Sequence, residues 1–125
     1  MREIEYRGID VKSGEWKFGS LVINRYTNIN GDDPSFLIYE FDPYEGIIYE
    51  VDKESVGQYI GKHDAHNNKI YEGDFVKDNR GSIWEVSFFD QGMYWIPFTF
   101  PCNSAPKSFE VVGNKWDNPE LSELV

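Results

Sequence analysis

Cysteine is nearly missing from this chain. Cys102 stands alone, so no intramolecular disulfide can form and no cysteine-based zinc site can be assembled, a usage that suits a reducing compartment. Long hydrophobic runs are missing too: the longest apolar stretches fall far short of the ~20 residues that cross a bilayer. The opening residues Met1-Arg2-Glu3-Ile4-Glu5 lack the apolar block of a signal peptide. We therefore expect a cytoplasmic protein with no membrane partner. Good helix formers are scarce, with four Leu and two Ala among 125 residues. Positive charge is scarce as well: 12 basic against 22 acidic residues leave a net charge of -10, which repels a phosphate backbone and makes nucleic acid an unexpected partner.

What is abundant is strand chemistry. Aromatic residues number 21 and Ile with Val 20, punctuated by 11 Gly and 6 Pro. Glu3 to Arg7 alternates, with Ile4 and Tyr6 on one face, until Gly8 interrupts the pattern. Glu15 to Ile23 begins with strict alternation and ends apolar on both faces, which predicts cover on both sides. Phe36-Leu37-Ile38-Tyr39 and Ile47-Ile48-Tyr49 read as short strands around the turn 42–46. Residues 54–59 fit either a further strand or one helical turn. From Lys69 onward, strands are predicted at 69–71, 74–77, 82–89, 93–98 and 109–113, a spacing that suggests a small SH3-like barrel. Asn118-Pro119 predicts one capped helical turn at the C-terminus.

The fold class expected is mainly β. An N-terminal β-hairpin sheet (1–60) would pack on a C-terminal SH3-like barrel lobe (61–117), followed by a tail (118–125), the whole forming one compact unit. Trp16, Phe18, Trp84 and Phe88 would be buried on the shared face.

Three constellations could carry chemistry. His63, Asp64 and His66 offer three ligand-type side chains within four residues, but a structural metal normally takes four ligands, and histidines beside Asn67-Asn68 suit a turn surface. Glu72-Gly73-Asp74 places two acids around a glycine; paired carboxylates can act as acid and base, yet a sharp turn at Gly73 with Asp74 accepting a backbone hydrogen bond is the stronger reading. Cys102 has no neighbouring cation to activate it. No catalytic residue, metal or cofactor is expected.

Two segments look like surfaces. Met93 to Pro101 is apolar on both faces. If Tyr94, Ile96, Phe98 and Phe100 fill a barrel core, then Met93, Trp95 and Pro97 are left for another lobe, a second subunit or a partner. Residues 32–54 hold eight acids and one base, together with Phe36, Tyr39, Phe41, Tyr44 and Tyr49. Met93, Trp95, Pro97, Tyr39, Tyr44 and Tyr49 are the candidate interface residues.

Several blocks resemble the YopX family. They are Arg2-Glu3-Ile4 with Tyr6-Arg7-Gly8, Gly14-Glu15-Trp16, Phe18-Gly19-Ser20-Leu21, Val56 to Gly61, Ile70-Tyr71-Glu72-Gly73-Asp74, Val112-Gly113-Asn114 and Asn118-Pro119-Glu120-Leu121. They follow family order over most of the chain. The resemblance implies a phage or prophage origin and the cytoplasm of a bacterial host; it carries over no catalytic residue. In the loop 61–69 the resemblance implies a turn of Asp-Lys-Asn-Gly type, and its glycine position is taken here by Asn68, a residue that tolerates left-handed backbone.

The function expected is that of a non-enzymatic accessory protein acting through association with a host or phage protein and with itself. The alternatives are a nucleic-acid-binding barrel and an acidic nucleic-acid mimic that occupies a host DNA-binding protein. An enzyme would require two carboxylates converging in a pocket.

Overall fold

A computed structural model describes residues 3–24, 34–41, 46–90, 94–98 and 108–125, with the side chains of Phe41 and Tyr94 excepted. The fold is mainly β, as expected, and every strand pairing is antiparallel. The chain divides into two compact units, residues 1–58 and 59–125.

In the first unit, β1 (Tyr6–Ile9), β2 (Trp16–Asn24), β3 (Ser35–Phe41) and β4 (Gly46–Val51) form a meander in the order β4-β3-β2-β1. Gly57 and Gln58, at the start of β5 (Gly57–His63), pair with the other side of β1. The register sorts side chains onto two faces. Leu21, Ile38 and Tyr49 lie abreast on the inner face, followed by Ile23, Phe36 and Val51. Ile38 and Val51 are its buried centre. The end of β1 reaches the end of β4 through an Asp10–Val51 bridge, with the Val11 N–H donating to the Glu50 carbonyl (3.0 Å) and the Asp52 N–H to the Ile9 carbonyl (2.9 Å). One bridge does not close the sheet.

Gly8 was expected to interrupt the first strand and instead lies inside it. A Cβ there would stand 2.8 Å from a Val51 methyl carbon, so the residue is small because β1 and the end of β4 are in contact. The undecided stretch 54–59 is both things. Lys53–Ser55 is a 3-10 turn capped by Asp52, which accepts from the Glu54 N–H (3.0 Å), and β5 follows. Ser55, fully buried, accepts from the Ile9 N–H (2.8 Å) and donates to the Asp52 carbonyl (2.6 Å).

The second unit holds the remainder of β5, then β6 (Lys69–Tyr71), β7 (Asp74–Lys77), β8 (Ile83–Glu85), β9 (Ser87–Phe89), β10 (Tyr94–Ile96) and β11 (Glu110–Asn114). β5 pairs with β6, β7 sits between β11 and β8, and β9 pairs with β10. Ile60, Ile70, Val76, Val86 and Phe109 form the core, with Trp95, Phe98 and Val111 packed against it. These sheets are not closed into a barrel among the described residues. The strand predicted over 82–89 is two strands in two sheets. Between them Val86 is fully buried, donating to the Asp74 carbonyl and accepting from the Gly73 N–H, both at 2.8 Å.

Other expectations need correction. The second half of β2 is not covered on both sides, since Val22 and Ile23 are exposed. Phe18, Trp84 and Phe88 are likewise exposed and form no common buried cluster. Trp84 covers its own hairpin by donating to Asp78, and Phe88 meets Trp95 edge to face at 4.9 Å across the β9–β10 ribbon. At the C-terminus a 3-10 helix, Pro119–Leu124, carries Pro at its start as predicted. Asn118 does not cap it; its amide oxygen accepts from the Asn114 N–H instead (3.2 Å).

Candidate interaction surface

Two of the carboxylates that looked chemical, Asp64 and Asp74, are engaged by the backbone. Asp64 is 3% exposed and accepts from the N–H groups of Asn68 (2.8 Å), His66 (2.9 Å) and, 47 residues away, Val111 (2.9 Å). Burial pushes its carboxyl up, but the Val111, Asn68 and His66 donors, with the Asn68 side-chain amide, outweigh burial and hold it below the ordinary carboxylate value. Asp78 repeats the arrangement, accepting from the N–H groups of Arg80 and Ser82, both at 2.9 Å. Its carboxyl is also lowered, first by the Ser82 donor and then by the Trp84 indole. The two turns share a backbone: each aspartate N–H donates to the carbonyl four residues on, and the fourth residue, Asn67 or Gly81, is left-handed. Asn67 therefore takes the glycine position of the first turn, one residue before the Asn68 expected.

Asp74, 2% exposed, accepts from the Tyr71 N–H at 2.8 Å, the turn role foreseen for it. Gly73 beside it is left-handed (φ 91°), and a Cβ there would run into the Trp116 ring.

The histidines face different partners. His63 Nδ1 meets the Tyr59 hydroxyl (3.5 Å), and His66 Nε2 lies 3.7 Å from a Glu110 carboxylate oxygen. Among the described residues no group of three or more His, Cys, Asp or Glu side chains is placed to hold a metal ion. Cys102 lies outside the described residues. No helix among them is long and apolar enough to cross a membrane.

Of the six candidate interface residues, Met93 and Tyr44 lie outside the described residues. Pro97 is buried, and Trp95 is half-buried against the core of the second unit. Trp95 and Phe98 both reach that core, so strict alternation does not sort this segment. The reason is the turn after β10, where the Phe98 N–H donates to the Trp95 carbonyl (2.8 Å) and ends the strand before Pro97. Tyr39 and Tyr49 are half-buried on opposite faces of the first unit's sheet; Lys17 lies over the Tyr49 ring at 4.4 Å. Burial lowers the Lys17 ammonium, but its contacts with Glu15 (3.3 Å) and Tyr49 raise it above the ordinary lysine value.

Tyr39 belongs to a larger surface, the outer face of β2, β3 and β4, whose other members were not singled out in the sequence. There Ser20, Tyr39 and Ile48 lie abreast, followed by Val22, Leu37 and Glu50. Val22 is 47% and Ile48 60% exposed, while Tyr39 and Leu37 are half-buried. A contiguous apolar strip thus meets solvent and is rimmed by exposed Glu50. The signal was present in the sequence: Leu21-Val22-Ile23 and Ile47-Ile48 do not alternate, so one member of each had to face outward unless a second layer covered it.

Comparisons with known proteins place this geometry. A family model described as YopX protein matches residues 5–123. No curated protein matches the chain. Among solved structures, the crystal structure of protein EF1440 from Enterococcus faecalis is similar at 18% identity with a TM-score of 0.54, covering 97% of this chain and 99% of that one, a likeness of fold.

Proposed function

Because the chain belongs to the YopX family, we propose that it is a phage or prophage accessory protein that acts, without catalysis, by binding another protein through the outer face of its first unit. The observation that carries this reading is the apolar strip in which exposed Val22 and Ile48 flank half-buried Leu37 and Tyr39. Large contiguous apolar patches on a protein surface mark interaction sites, and aromatic side chains such as Tyr39 are favoured where partners meet. The second unit, with short strands around one core, supplies an SH3-like scaffold in this reading. The bacterial cytoplasm is where such a protein would work.

The test is affinity capture of the tagged protein from host lysate, with and without nuclease, beside a Val22→Glu variant. A stoichiometric protein partner that resists nuclease and is lost from Val22→Glu supports the proposal. Capture that nuclease abolishes would favour the nucleic-acid reading. Capture indifferent to Val22→Glu would move the binding surface elsewhere.

A further inference from the structure

The same strip ends at a sheet edge, and that edge has chemistry of its own. β4 is the last strand of the meander. The Glu50 carbonyl points away from β3, since it accepts from Val11. Backbone groups alternate sides along an antiparallel strand, so the N–H and C=O of Ile48 point the same way. Among the described residues no strand pairs with that edge over Gly46–Tyr49. Such edges are usually protected by lysine, proline or a bulge. β4 reads Gly-Ile-Ile-Tyr-Glu-Val, with neither lysine nor proline, and its register with β3 is unbroken. Ile47 and Ile48 are both exposed, one on each face of the sheet.

Charge selects the occupant. Glu40, Glu50, Asp52 and Glu54 are exposed on or beside this edge, within a stretch of eight acids and one base. A second copy paired edge to edge would bring two such stretches together, at an electrostatic cost. A segment carrying lysine or arginine between apolar residues would satisfy the Ile48 backbone, lay its apolar face over one of the two isoleucines and carry its cations on the other face into the acidic surroundings.

We propose that the outer edge of β4 takes up an extended, basic and apolar segment of a partner protein as an added strand. This rests on the association reading above and names the chemistry of the partner. The test uses the full chain and a fluorescein-labelled peptide of alternating lysine and valine, followed by fluorescence anisotropy. Three controls accompany it: the alternating glutamate and valine peptide, a lysine peptide whose central valines are prolines, and the variants Ile48→Pro and Ile48→Lys. Ile48→Pro removes the outward donor, and Ile48→Lys keeps the backbone while opposing the peptide's charge.

The proposal expects binding of the lysine–valine peptide that weakens as salt rises. It also expects a loss of about tenfold or more, roughly 1.4 kcal/mol, in both variants and with the proline-containing peptide. Equal binding of the proline-containing peptide would reduce the effect to charge attraction and overturn the proposal. So would undiminished binding by Ile48→Lys. A wild-type dimer in sedimentation that Ile48→Lys dissolves would assign the edge to a second copy, against the proposal. If no peptide binds while lysate capture still depends on Val22, the edge proposal falls and the association reading stands.

Discussion

Asp64 joins two distant parts of the second unit through its carboxylate, and its replacement isolates that effect. In Asp64→Asn one oxygen becomes a donor facing other donors, so at least one N–H among Asn68, His66 and Val111 loses its acceptor. A loss of about 2 kcal/mol in urea unfolding is expected, the scale of a hydrogen bond to a charged group. The pH dependence has a definite sign. Asp64 titrates below its unfolded value, so its contribution is complete above the unfolded pKa of about 4 and is lost as pH falls through the folded one. Wild-type stability should therefore drop below about pH 4, and the drop should be shallower in Asp64→Asn. Gly81 tests the second turn. Nothing lies within 4 Å of a Cβ built there, so Gly81→Ala should cost only backbone strain, about 1 to 2 kcal/mol, and Gly81→Asn distinctly less. Thermal unfolding of the pair reads the difference. At this scale the sequence was informative about Asp74, whose turn role follows from Gly73. It was ambiguous by one position at Asn67-Asn68, because both residues tolerate left-handed backbone and only the hydrogen-bond register separates them.

Strands were legible wherever short apolar runs were bounded by turn residues, as in β3, β4, β6 and β7. The boundary between β8 and β9 was not, because Val86 is as good a strand residue as its neighbours and no Gly or Pro marks the change of sheet. Gly8 misled for the opposite reason: it looks like punctuation but allows close packing. Gly8→Ala should lower stability by about 1 to 3 kcal/mol through overpacking against Val51, measurable as a fall in thermal midpoint. Gly14→Ala, whose Cβ would meet nothing within 4 Å, would carry only the penalty of its positive φ. The outer strip of β2 to β4 was half legible. The doubled apolar runs announced two apolar faces, but whether a second layer covers the outer one is decided by tertiary structure, which local sequence does not encode.

For the molecule as a whole, charge is the property most open to manipulation. With 22 acids against 12 bases, self-repulsion opposes compaction, and it is densest over residues 32–54. Raising salt from about 20 to 500 mM, where the screening length shrinks to a few ångströms, should raise the thermal midpoint. A fall would mean that specific ion pairs outweigh the repulsion. Val86 brings a further consequence, in the currency of amide exchange with solvent. Its N–H and carbonyl both bond to the 73–74 turn while its side chain lies in the core, so its amide can exchange only when β7, the turn and the core part together. Deuterium uptake at Val86 would then track the complete opening of the second unit, while the outward amide of Ile48 would exchange from the folded state.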